Sequence, residues 1–194
     1  MYRLLLIATV LLAACGDAHG GSADPGDGRP RVHSVSEDGD TAFLVKRDDA
    51  EMERARERAR CTLSEFRRRF RDPPATQTQL SLKGIFQDEE STEHLWLDVL
   101  AVNGDTTFVG TVANDPGMVR SVAFGDTVTI GSAQVSDWQA VDRDTLVAGF
   151  TTRILMGRKR GGEPAGQDTT LGYKIDSDEH AWRRLERFCV PARL

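Results

Sequence analysis

His94, Trp96 and Asp98 alternate along a run of β-forming residues, so one face of a strand presents an imidazole, an indole and a carboxylate. An imidazole within reach of a carboxylate is a general base, and Asp98 and Asp137 are the two partners on offer. That pattern admits a small hydrolase or transferase. Little else in the chain supports one. There is no Gly-rich phosphate loop, dinucleotide fingerprint, nucleophile elbow, paired-histidine zinc motif or Cys-x-x-Cys. A non-enzymatic role is therefore favoured, with no metal and no cofactor expected. His19 and His33 fall in a Gly- and Asp-rich stretch, and His180 opens a C-terminal helix facing solvent, which leaves His94 as the histidine to inspect. Glu89, Glu90 and Glu93 beside it read as acidic turn residues in water.

The three cysteines have separate meanings. Arg3 followed by the apolar run Leu4 to Ala14 has the outline of a secretory signal, and at 11 residues it is far short of the ~20 that span a bilayer. Leu12-Ala13-Ala14-Cys15 resembles the lipobox of bacterial lipoprotein signals, which makes Cys15 the acylated mature N-terminus and a membrane its first partner. Residues 1–14 are then a signal peptide and 15–40 a polar tether. Gly16 in place of aspartate leans toward the outer membrane. In an oxidising compartment Cys61 and Cys189 can form one intramolecular disulfide, which is favoured over an intermolecular bridge or two free thiols. The formal charge of −5 argues against a nucleic-acid partner.

The elements that must position these groups read as α+β. Apolar residues at three- and four-residue steps from Met52 to Phe70 predict an amphipathic helix over 48–70, acidic at its start, arginine-rich at its end and stopped by Pro73-Pro74. Its arginines read as a solvated face. Cys61 falls half a turn from the apolar stripe, so a C-terminal helix begun at Asp176-Ser177-Asp178-Glu179 must cross the outer side to bring Cys189 to it. Between the helices, five or six strands are expected: 80–87, 94–102, 106–113, 127–130, 133–141 and 145–150. Asn103-Gly104 and Asp115-Pro116-Gly117 supply turns, and meander order would curl the sheet into a half-barrel. Residues 41–157 form the domain, 158–170 with Arg158-Lys159-Arg160 a mobile loop, and 171–194 a strand and helix extension.

Glu93-His94-Leu95-Trp96-Leu97, Phe108-Val109-Gly110 with Asn114-Asp115-Pro116, Gly125-Asp126-Thr127-Val128, Val135-Ser136-Asp137-Trp138 and Gly149-Phe150-Thr151-Thr152-Arg153 resemble, in order, the YegJ-like family of bacterial domains of unknown function. The likeness covers about Phe43 to Gly157. It implies a compact helix-plus-sheet domain and brings no reaction; the terminal helix and the Cys61–Cys189 pair look like additions to it. Within it, His94, Trp96, Asn114, Asp137, Trp138 and Arg153 are the polar or amphipathic positions expected to form one binding surface. The functional expectation is a lipid-anchored envelope module that binds a protein or glycan, with a toxin inhibitor as a further alternative.

Overall fold

The computed structural model describes residues 33–37, 40–44, 49–89, 91–159, 167–168 and 172–189. Residues 1–32, with the expected signal peptide, Cys15 and most of the expected tether, lie outside the described residues. Strand β1 (His33–Glu37) pairs antiparallel with β2 (Asp40–Leu44), so the last part of the stretch read as tether is paired backbone.

Asp49 caps the first helix with its side chain, accepting from the amides of Glu51 and Met52. The single helix expected over 48–70 is two, α1 (Ala50–Cys61) and α2 (Leu63–Arg71), separated at Thr62. The Thr62 hydroxyl bonds back to the Arg58 carbonyl at 2.8 Å, competing with the helical ladder, and receives the indole N–H of Trp138 at 2.9 Å. The break thus serves a buried tryptophan. Met52, Ala55, Ala59, Leu63 and Phe66 form the buried stripe. Phe66 meets Phe108 and Trp138 edge-on, with ring centroids 5.7 and 5.9 Å away, and this aromatic trio centres the core.

The sheet strands are β3 (Gln77–Gln87), β4 (Thr92–Asn103), β5 (Thr107–Val112), β6 (Thr127–Gly131), β7 (Val135–Asp142), β8 (Thr145–Ala148) and the two-residue β9 (Gln167–Asp168) and β10 (Tyr173–Lys174). Their order is β6-β5-β4-β3-β7-β8-β10-β9, eight strands in an open sheet, antiparallel except where β10 meets β8. The meander expectation is corrected at one point: β7 pairs with β3, not with β6. Four strand spacings separate β6 from β7, about 19 Å in a flat sheet. The connection is the 3-10 turn Ser132–Gln134, whose rise of about 2 Å per residue covers about a third of that. The sheet must therefore curl until the ends of β6 and β7 approach.

A helix that the pattern did not signal, α3 (Phe150–Lys159), follows β8. Phe150, Thr151, Thr152, Arg153, Ile154 and Leu155 are all buried, so no polar face betrays a helical period. Gly157, Arg158 and Lys159 belong to it and not to a loop, while Arg160 and 161–166 lie outside the described residues. Arg158 is engaged by Asp49 and Glu51 of α1. The C-terminal helix α4 (Asp178–Leu185) is capped by Ser177 and ends in a 3-10 turn, Glu186–Phe188. Cys189 follows directly and is bridged to Cys61, with Cα atoms 4.5 Å apart.

Candidate functional site

Directly paired strand residues share a face, so the register sorts the chemistry. Leu82 lies between Leu97 and Trp138 on the face covered by α2. Lys83 lies between Trp96 and Asp137 on the opposite face, with Ile85 and His94 in the next row on one side and Ser81, Asp98 and Gln139 on the other. This second face is only partly covered: Lys83, His94 and Trp96 are half-buried and Asp98 is exposed. The Lys83 ammonium stands 4.4 Å from the centre of the Trp96 indole, a cation–π contact. Among the described residues, the polar side-chain atoms of Lys83, His94 and Trp96 have no hydrogen-bond partner.

Burial, together with the positive charges of Arg56 and Lys83, pushes the His94 imidazole down to about 4 against the pull of Glu53. Burial likewise pushes the Lys83 ammonium down, opposed by Asp137 and reinforced by Arg56. His94 is thus neutral at physiological pH and a weak base. Its unfolded counterpart titrates near 6.5, so the unfolded chain gains protons first as pH falls. Stability contributed by neutral His94 is complete above pH 6.5 and is lost as pH falls toward about 4. We expect chemical denaturation to show a decline between these limits that is shallower in His94→Gln, and NMR to show the His94 ring titrating near 4.

Neither expected partner serves His94. Asp98 lies four residue steps along the strand from it, about 13 Å away. Asp137 is wholly buried and otherwise occupied. Its Oδ1 accepts from the amides of Trp138 and Phe150 at 2.8 and 3.1 Å. Its Oδ2 accepts from the Thr151 amide at 2.8 Å and the Thr151 hydroxyl at 2.6 Å. Burial pushes this carboxyl up, against Lys83, the Thr151 hydroxyl and the amides of Thr151 and Trp138. The reason is local: Gly149, at φ 65° behind Ala148 at φ 54°, has no side chain to cap α3, so a carboxylate from β7 does it. A Cβ at Gly149 would come 2.7 Å from Leu146 Cδ2, which excludes a conventional capping residue there.

The six positions expected on one surface are therefore divided. His94, Trp96 and Asp137 share a face, with Asp137 sealed beneath it. Trp138 is on the other face, fully buried. Arg153 is buried in α3, donating to the carbonyls of Leu146 and Ala148 at 2.7 Å each and pairing with Asp176. Asn114 accepts the Trp96 backbone amide at 2.7 Å, steadying β4 from the turn after β5. Lys83 was not singled out from the sequence, because a lysine inside a strand gives no signal until the register puts it beside an indole. Glu93 is no free acid either: its carboxylate gathers the amides of Gly117, Met118 and Val119 and so shapes the 113–126 loop.

Other chemistry is sparse. A recess of about 390 Å³ beyond this face is lined by Ile85, Phe86, Gln87, Ser121, Ala133 and Gln134, with no charged group. Among the described residues no cluster of three His, Cys, Asp or Glu could hold a metal ion, and no helix is long and apolar enough to cross a membrane.

The chain is similar to the Escherichia coli K12 protein named uncharacterized protein YegJ, 36% identical over 77 residues, 39% of this chain and 49% of that one. A Neisseria meningitidis serogroup B protein that carries an ankyrin-repeat name is 30% identical over 138 residues, 67% of this chain and 54% of that one. The chain spans about half the length of the curated relatives it matches. No solved structure matches it. Residues 49–174, from the cap of α1 to the end of β10, match the model of a family described as uncharacterized protein conserved in bacteria, and the chain belongs to that family, DUF2314.

Proposed function

We propose that this chain is an exported, lipid-anchored bacterial envelope protein whose DUF2314 domain is a non-enzymatic binding module, with the Lys83–Trp96–His94 face as its binding surface. One observation carries the reading: a cation, an indole and a neutral imidazole stand together on a sheet face with their polar atoms unpaired among the described residues. These residues are half-buried and their polar atoms are not among the buried unpartnered ones, so they reach solvent and stand available to a ligand. A hydrolase would need His94 oriented by a carboxylate, and neither aspartate does that. Export rests on the order of basic, apolar and small residues before Cys15, and a disulfide suits the compartment beyond the inner membrane. The partner is an envelope protein or glycan within reach of the anchor.

The test is crosslinking in intact cells, with the native N-terminus retained and the captured species identified by mass spectrometry. We expect one saturable species, lost in Trp96→Ala and Lys83→Gln and reduced in Cys15→Ser. Capture that is indifferent to both face variants would overturn the surface, and a Cys15 that takes up no radiolabelled palmitate would overturn the anchor.

A further inference from the structure

The ligand class follows from the same face and rests on the binding-module reading. We propose that the face binds an acidic saccharide, its carboxylate at the Lys83 ammonium and a sugar ring against the indole of Trp96.

Charge is the first argument. Asp137, the carboxylate opposite Lys83, is held by three donors at the start of α3 and by the Trp138 amide, and makes no ion pair with Lys83 among the described residues. Arg56 stands within electrostatic reach of both Lys83 and His94. Among the described residues its carboxylate partner is Glu53, which is shared with Arg60, and its own Nε is buried without a hydrogen-bond partner. The carboxylates nearest the two cations, Asp137 for Lys83 and Glu53 for Arg56, are thus both engaged by other donors, which leaves positive charge for an incoming anion to balance. Asp98, the exposed acid, sits in the row beyond Trp96, on the far side from His94.

Shape is the second. The β5 side of Trp96 is occupied by Ala113, whose amide donates to the Trp96 carbonyl at 2.8 Å. A methyl group is all that residue can place beside the indole, which leaves room for the C–H face of a sugar ring. Gln139, in the neighbouring row, is 7% exposed, and its buried Oε1 has no donor among the described residues. An extended peptide is less suited. Both β3 and β4 already have a strand on either side, so no backbone ladder is free on this face and side chains alone must do the recognition.

The probe is tetragalacturonate, titrated calorimetrically into the full chain, beside its fully methyl-esterified form and a tetraglutamate peptide. We expect saturable binding of the acid, weakened about ten-fold or more by esterification and by Lys83→Gln, retained in Trp96→Phe and lost in Trp96→Ala. Both lysine and tryptophan variants are checked for an unchanged thermal midpoint, and Trp96→Phe keeps the ring if alanine disturbs the strand. Equal binding of the ester, or wild-type affinity in Lys83→Gln, would overturn the charge argument. Equal binding of tetraglutamate would overturn the saccharide in favour of an acidic peptide. No binding of tetragalacturonate overturns this inference alone, because the crosslinking comparison decides the binding-module reading separately.

Discussion

Asp137→Ala is expected to destabilise the domain by about 3 to 5 kcal/mol. The carboxylate sits at zero exposure and satisfies three backbone amides and a hydroxyl. Alanine leaves the Phe150 and Thr151 amides buried at the start of a helix with no alternative acceptor, since Gly149 has no side chain and left-handed backbone precedes it. Asp137→Asn keeps one oxygen but turns an NH2 group toward donors, so it should cost less, about 1 to 3 kcal/mol. Urea unfolding followed by far-ultraviolet dichroism checks both. A loss below about 1 kcal/mol in the alanine variant would mean that α3 finds another cap.

Cys189→Ser, or reduction of the wild type, should remove up to about 5 kcal/mol, because the bridge closes a loop of 128 residues and so restricts the unfolded chain strongly. Folded contacts depend on it as well. It holds down a C-terminal segment whose Trp182 packs edge-on to Phe150 at 6.3 Å and beneath the Arg58 guanidinium at 4.9 Å. Asp176 and Asp178 tie that segment to Arg153 and Arg58, and the Ser64 hydroxyl donates to the Phe188 carbonyl at 2.9 Å. The reduced wild type and Cys189→Ser should therefore unfold at the same midpoint, well below the oxidised protein in calorimetry. Equal midpoints for oxidised and reduced protein would show that these contacts suffice alone.

Much of this architecture was legible because it depends on local pattern. The stripe from Met52 to Phe66 is a helical period, and Ser177 announces the last helix. What escaped depends on residues far apart in the chain. The break at Thr62 exists for an indole 76 residues away, and α3 begins where a carboxylate 13 and 14 residues earlier receives its amides. Turn chemistry misled in an instructive way. A two-residue Asn-Gly hairpin turn puts both residues at positive φ, yet at Asn103-Gly104 only Gly104 is so; the β7–β8 turn that has two such residues uses Arg143 and Asp144, at φ 49° and 59°. Alternation correctly joined His94, Trp96 and Asp98. It could not show that Trp138, one step from Asp137, points into the core, because that needs the pairing of Leu82 with Leu97 and Trp138. Nor could it find Lys83, which matters only through its neighbours on two other strands.

The bridge between Cys61 and Cys189 also decides how the molecule answers a pull. Tension applied at the two ends of the oxidised chain runs through the sulfurs, and residues 62–188 hang off that line as a closed ring. Stretching can peel α1 away up to Cys61 but cannot draw out the sheet, so the extension available to the chain is set by its outer segments. Reduction would return the whole ring to the path of the force, and the chain would then lengthen by the contour of the ring.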